Sequence, residues 1–157
     1  MIDHVVHVTD LLRDLLSDEV ATVQAQINHR MYNQKWEDCA LLTLGFGKGV
    51  FATLDSSWSR PDGFRTWGDV TMNVVGDAGV IELDMFGQEI HRYGSGPRSH
   101  SVGSFGSNMD ALLVQEFINA VREELPGKTT LEDGLIASEV AIAGYRSVAE
   151  RAVVAVA

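Results

Sequence analysis

Three side chains near the start of the sequence have the types and the spacing of a proton-transfer site. Asp3 precedes His7 by four positions, and Asp10 follows His7 by three. Side chains three or four positions apart lie on one face of an α-helix, so both carboxylates can approach the imidazole if this segment is helical. A neighbouring carboxylate holds one ring tautomer and raises its basicity. The pattern therefore suggests that His7 is a general base oriented by Asp3.

Two other interpretations of this segment stay open. In the first, Asp3 stabilises the positive end of the helix dipole and His7 is a half-buried, hydrogen-bonded side chain, an arrangement that the local pattern alone favours. In the second, Asp3, His4, His7 and Asp10 offer ligands to a metal ion. We predict no metal site, because His4 points about a third of a turn away from His7 and no cysteine supports the set.

The positioning element for these side chains is a first helix from Ile2 to Leu16, whose apolar residues recur at helical spacing. Alternating apolar and polar residues then predict five strands and a short sixth. Two further helices are predicted after an irregular loop over residues 94–107, and Thr130 with Asp133 resembles a capping box for the second. The predicted strands are Val20–His29, Asp38–Phe46, Val50–Arg60, Gly68–Val75, Val80–Phe86 and Gln88–Tyr93, and the predicted helices are Asn108–Leu125 and Leu131 to about Val154.

This order predicts an α+β fold: an open-faced, mainly antiparallel sheet of five or six strands with helices on one face. The other face would carry mildly polar side chains with few charges, which suits contact with a second copy of the chain. We therefore expect a homodimer or higher homo-oligomer. The polar side chains of this face are Gln24, Gln26, Asn28, Thr43, Thr53, Asp55, Thr71 and Asn73.

A second group of candidate binding residues follows the third predicted strand. Trp58, Arg60 and Trp67 could stack on a sugar ring and hydrogen-bond its hydroxyls, and we add Asp10 to them as a candidate substrate contact. Large residues at strand ends also plug the ends of sheets, so a structural role is equally natural.

Composition narrows the class of protein. The chain has 157 residues, 45% of them hydrophobic, and a formal net charge of -10, which suits one domain with one core. An acidic chain is a poor partner for nucleic acid or an anionic membrane surface, because both require clustered Lys and Arg. No segment has the length of a transmembrane helix or the pattern of a signal peptide, so we expect a cytoplasmic protein.

Several short motifs occur in this sequence in the same order as in the C-terminal domain of the Gfo/Idh/MocA oxidoreductases, which the chain therefore resembles. This family is the glucose-fructose oxidoreductase and inositol dehydrogenase group. The resemblance covers nearly the whole chain, 1–157, as a single domain. The motifs are Asp3-x-x-x-His7, Ser57-Trp58-Ser59-Arg60-Pro61, Val75-Gly76-x-x-Gly79, Thr130-x-Glu132-Asp133-Gly134-Leu135 and Tyr145-Arg146-Ser147.

The resemblance implies that Asp3 and His7 lie in an active site, beside the sugar carbon that loses hydride, and that the sheet face is a subunit interface. It also implies NAD or NADP in the complete enzyme, held by an N-terminal Rossmann domain. We find no strand followed by Gly-x-Gly-x-x-Gly and a helix in these residues, so we expect no cofactor in this chain. Nor do we find the Glu-Lys-Pro motif of the family.

Two functions therefore compete. In the first, the chain is the substrate-binding and oligomerising half of an NAD(P)-dependent sugar or polyol oxidoreductase, inactive without a Rossmann part that a partner chain could supply. In the second, it is a free-standing, non-catalytic dimeric scaffold or sugar-binding module. A Rossmann-only reading frame directly upstream would favour the first.

Overall fold

The structure is a computed structural model that describes residues 1–58, 60–61, 63–64, 69–96 and 99–156. The described residues form two compact units, one from Met1–Ser59 with Pro126–Ala157 and the other from Arg60–Leu125. In chain order, the elements are α1 (Ile2–Leu16), β1 (Val20–Asn28), β2 (Cys39–Phe46), β3 (Phe51–Asp55), β4 (Thr71–Gly76), β5 (Gly79–Asp84), β6 (Glu89–Tyr93), β7 (His100–Ser104), α2 (Met109–Glu123), α3 (Leu131–Glu150) and β8 (Val154–Ala155).

The first unit is a four-stranded antiparallel sheet, in the order β3-β2-β1-β8, with helices on one face. Alternation decides which side chains face the helices: Val23 and Ala25 of β1 are buried, whereas Gln24 and Gln26 between them are exposed. The α+β class and the antiparallel sheet are therefore confirmed. The fully buried centre of this unit consists of Val5, Val23, Leu42, Leu44 and Val140 together with smaller residues.

Helix α3 lies close to the sheet because its inner face consists of small residues. A side chain at Gly144 would begin 3.1 Å from the Met1 side chain and 3.3 Å from Leu42 Cδ2. The N-terminus of α3 has the predicted capping box, in which Thr130 Oγ1 accepts from the Asp133 backbone N–H and Asp133 accepts from the Thr130 backbone N–H.

A buried arginine connects α1 to the other elements of this unit. Arg13 is 9% exposed; its Nε and Nη2 donate to the Glu19 carboxylate at 2.5 and 2.8 Å, and its Nη1 donates to Asp133 Oδ1 at 3.4 Å. Asp10 Oδ1 lies 3.6 Å from Nη1. The hydrogen bond to Glu19 raises the Arg13 pKa further, although burial opposes this. This network holds the C-terminal half of α1 against the start of α3.

The second unit contains two hairpins and α2. The β4 and β5 strands pair from Thr71–Asp84 to Gly76–Gly79, and the turn uses Gly79 with a φ of 151°. The β6 and β7 strands pair from Glu89–Ser104 to Tyr93–His100. Asn108 caps α2 by accepting from the Ala111 backbone N–H.

Three expectations about the strands are corrected. Instead of one sheet of five or six strands, the described strands form a four-stranded sheet and two separate hairpins. The third strand ends at Asp55 rather than Arg60, because the Asp55 side chain accepts from the Ser57 backbone N–H and turns the chain. Part of the predicted irregular loop is the strand β7, and β8 was not predicted at all.

The last helix also ends earlier than predicted, at Glu150, where Arg151 adopts a left-handed conformation with a φ of 55°. Among the helices of the described ranges, none has both the length and the apolar character needed to cross a bilayer.

Candidate functional site

The candidate site lies at the start of α1, where the helix meets the segment that follows β3. Asp3 and His7 are exposed on this helix, as the sequence predicted. Within the described structure, however, no hydrogen bond or ion pair joins His7 to Asp3 or Asp10. The Asp10 carboxylate instead faces Arg13. The assignment of Asp3 and His7 as catalytic residues stays a prediction.

The histidine with defined contacts here is His4, which the sequence analysis set aside. Trp58 Nε1 donates a hydrogen bond to His4 Nδ1 at 2.9 Å, and the two ring centroids are 5.4 Å apart with the planes tilted by 57°. The other ring nitrogen, Nε2, lies 4.0 Å from Asp3 Oδ2. His4 and Trp58 are 54 positions apart, so no local pattern could pair them.

Trp58 is itself held by the loop between β1 and β2. Its backbone N–H donates to the Asp38 carbonyl at 2.7 Å, and its carbonyl accepts from the Tyr32 hydroxyl at 3.0 Å. The Asp38 carboxylate in turn accepts from the Tyr32 backbone N–H at 2.7 Å. Because the backbone is fixed on both sides, the indole has a defined position although 53% of Trp58 is exposed.

A second set of polar contacts is made by Glu37, in the loop before β2. The Tyr145 hydroxyl on α3 donates to Glu37 Oε1 at 2.5 Å, and the Met1 nitrogen lies 2.5 Å from the same oxygen. Burial, together with the hydrogen bond to Glu37, raises the Tyr145 pKa above its usual range. The start of α1, the loop before β2 and α3 therefore meet at one carboxylate.

Two predicted site residues remain, Arg60 and Trp67. Arg60 belongs to the second unit, where its Nη2 and Nε lie 2.7 and 3.2 Å from Asp69 Oδ2, and its guanidinium carbon lies 5.0 Å from the centroid of the Phe64 ring. Trp67 lies outside the described residues. Across the described ranges, no three His, Cys, Asp or Glu side chains are grouped closely enough to hold a metal ion.

In chemical terms, the start of α1 presents two imidazoles and a carboxylate at an accessible surface beside an indole. Such groups can donate to and accept from hydroxyls, and the indole face can stack on a ring. Comparison with known proteins decides the family. Residues 1–82, which include α1, the strands β1–β4 and most of β5, match the GFO/IDH/MocA C-terminal domain. The chain belongs to this family.

The GFO/IDH/MocA fold is also found in solved structures. GenD2 from gentamicin A biosynthesis, in complex with NAD, superposes with a TM-score of 0.79 at 21% identity, over 96% of this chain and 46% of that protein. Myo-inositol 2-dehydrogenase from Lactobacillus plantarum superposes with a TM-score of 0.75 at 19% identity, over 97% of this chain and 47% of that protein. Myo-inositol dehydrogenase from Lactobacillus casei, in complex with NAD(H) and myo-inositol, superposes with a TM-score of 0.68 at 22% identity, over 99% of this chain and 47% of that protein.

The chain thus spans about half the length of these GFO/IDH/MocA structures, and at these identities the likeness shows the fold. None of the curated protein sequences compared with the chain matches it.

Proposed function

We propose that this chain is the substrate-binding and oligomerising half of an NAD(P)-dependent oxidoreductase that acts on a hydroxyl-bearing carbon of a sugar or polyol. The observation that supports this proposal most strongly is the family match over residues 1–82, which includes α1 with Asp3 and His7. Two solved structures with this fold are myo-inositol dehydrogenases, which supports the substrate class.

We assign the transfer of the substrate's hydroxyl proton to side chains of α1. His7 is exposed and accepts the proton of the substrate hydroxyl, and the carboxylate of Asp3, one turn away, favours the charged imidazole that results. Asp3 and His7 form their hydrogen bond only when substrate is bound, since catalytic hydrogen bonds are often long or unformed in the free protein. A nicotinamide cofactor bound in the complete enzyme would supply the hydride acceptor.

The described residues do not fit the cofactor itself. Every strand pairing among them is antiparallel, so they contain no βαβ turn to hold a pyrophosphate, and the first turn of α1 carries the Asp3 carboxylate. We assign the cofactor to a Rossmann part, which a partner chain could supply.

The open face of the four-stranded sheet supports the oligomerising role. Gln24, Thr43 and Thr53 lie in one row across the three long strands, and Phe51 on the same face is 77% exposed. A sheet with helices on only one side gains by covering such a face, and a second copy of the chain presents a matching surface.

A non-catalytic module remains the second candidate function. It is favoured by the lack of any hydrogen bond or ion pair between Asp3 and His7 in the described structure. The two candidates differ in whether His7 takes a proton from a bound polyol.

Titration of the isotope-labelled chain with myo-inositol and D-glucose, followed by NMR, tests the proposal. We expect shifts confined to the start of α1 and to the Trp58 indole, with weak affinity because only half of the site is present. Asp3→Asn should reduce these shifts, whereas Asp14→Asn, an exposed position further along the same helix, should not. Shifts that are absent, or equal in the two variants, would contradict the substrate-binding role.

A further inference from the structure

His4 has one ring nitrogen committed to the protein and one available to a ligand. An indole N–H can only donate, so Nδ1 of His4 must be the acceptor of the 2.9 Å bond from Trp58. In the neutral ring the proton therefore resides on Nε2. Trp58 thus selects the tautomer in which Nε2 is a hydrogen-bond donor at the accessible edge of the ring.

The Asp3 carboxylate is too far from that donor to accept from it directly. Asp3 Oδ2 lies 4.0 Å from Nε2, beyond the length of about 2.7–3.2 Å for such a bond. Both side chains are accessible, with 45% of His4 and 69% of Asp3 exposed. Nε2 and Oδ2 are therefore a donor and an acceptor 4.0 Å apart on two accessible side chains.

The gap between the two atoms has the dimensions of one hydroxyl group. An oxygen about 2.8 Å from both atoms would see them at an angle of about 90°, close to the angle between the donor and acceptor directions of a hydroxyl. Such a hydroxyl would accept from His4 and donate to Asp3 at once. A carbonyl lacks the proton for Asp3, and an ammonium lacks the lone pair for His4.

The geometry points to His4 and Asp3 as a joint clamp for one hydroxyl of a polyol ligand, with Trp58 as the residue that positions His4. This inference rests on the proposed function for the identity of the ligand. Trp58 acts through His4 rather than on the hydroxyl, and its position depends on the backbone bonds to Tyr32 and Asp38.

The role of Trp58 is tested without any ligand. The ¹⁵N resonances of the His4 ring, recorded at about pH 8 where a histidine is ordinarily neutral, should show a protonated Nε2 and an unprotonated Nδ1. In Trp58→Phe, which keeps an aromatic ring but removes the N–H, the two tautomers should mix. An unchanged tautomer in Trp58→Phe would overturn the positioning role.

The clamp is tested by the same NMR titration with myo-inositol. His4→Phe should weaken binding about 3- to 10-fold, the usual worth of one hydrogen bond, and His4→Gln, which keeps a donor, should recover part of that loss. His29→Phe, at an exposed histidine after β1, is the matched control and should bind as the unaltered chain does. Dispersed spectra of each variant establish that it is folded.

The outcomes separate this inference from the proposed function. If the unaltered chain binds myo-inositol and His4→Phe binds equally tightly, the clamp is overturned and the proposed function stands. If the unaltered chain binds no polyol, both are overturned.

Discussion

Arg13 Nη1 lies 3.4 Å from Asp133 Oδ1, although the two residues are 120 positions apart. This contact joins the first helix of the chain to the first turn of the last one. Together with Glu19 and Asp10, it places a single buried guanidinium among three carboxylates. The orientation of α1, and hence of the candidate site, depends on that cation.

Replacement of Arg13 should therefore destabilise the first unit. We expect Arg13→Met to lower the free energy of unfolding by about 1–3 kcal/mol, less than for a fully buried pair because Glu19 is 62% exposed. Arg30→Met, at an exposed position of the same unit, should change it by less than about 0.5 kcal/mol. Urea unfolding followed by circular dichroism measures both. Equal effects would contradict a structural role for the Arg13 network.

The same network should make stability depend on acid pH. The hydrogen bond from Arg13 lowers the Glu19 pKa below its ordinary value of 4.5. A carboxylate with a lowered pKa in the folded state stabilises the fold above pH 4.5, and this contribution is lost as the pH falls through the folded-state value. Unfolding free energies should therefore fall more steeply between about pH 6 and pH 3 in the unaltered chain than in Glu19→Gln. In an Arg13→Met background, the Glu19→Gln change should no longer alter the slope.

The two glycines of α3 should respond oppositely to the same substitution. A Cβ added at Gly134 would have no atom within 4 Å, so Gly134→Leu should stabilise the helix by about 0.5–1 kcal/mol. Gly144→Leu would press against Met1 and Leu42 and should destabilise the unit by about 1–3 kcal/mol. Thermal and urea unfolding of the two variants decide this. Stabilisation by both would show that α3 can move away from the sheet at little cost.

The oligomer proposed for the open sheet face should be sensitive to charge. Sedimentation equilibrium at micromolar concentration should give a dimer or larger species, and the double variant Gln26→Arg with Thr53→Arg should give a monomer. The net charge of -10 opposes association only at long range, because salt screens it beyond about 8 Å at physiological ionic strength. Gln34→Arg, in the loop after β1, should leave the mass unchanged. A monomeric unaltered chain would refute the interface.

The catalytic assignment of His7 can be tested once a Rossmann part has been supplied. In the reconstituted enzyme, His7→Ala should reduce turnover by roughly two to four orders of magnitude, the usual contribution of a positioned general base. Folding should be unaffected because His7 is exposed. His29→Ala serves as the control. Near-full turnover without His7 would contradict its catalytic role and favour a purely structural one.

Local patterns predicted the three helices and the strands β1–β6 of this fold, but not β7 or β8. The bounds of α1 agree with the prediction because its apolar spacing starts and stops with the helix, and Thr130 with Asp133 marks the start of α3. The predicted strands could not be assigned to sheets, since alternation indicates a strand but not its partner. The strand β8 has two residues and exists through pairing with Thr22 and Val23 of β1, far away in the chain.

The candidate site was predicted in part. Asp3, His7 and Trp58 were singled out by residue type, but the contact between Trp58 and His4 depends on the path of the segment after β3, where an Asp55 side chain competes with the sheet for the backbone. No local pattern marks Arg13 as a buried residue. Its burial depends on Glu19 and Asp133, which only the tertiary structure brings to it.

The division of the first unit into two stretches of sequence affects how the protein can fold during synthesis. Its sheet strands β1–β3 leave the ribosome first, but α3 and β8, which cover them and pair with their edge, come only after residues 60–125. At about 5–20 residues per second, that stretch takes about 3–13 s to synthesise. During this delay Leu42 and Leu44 lack the cover of α3, so the nascent chain should be a substrate for chaperones until α3 emerges.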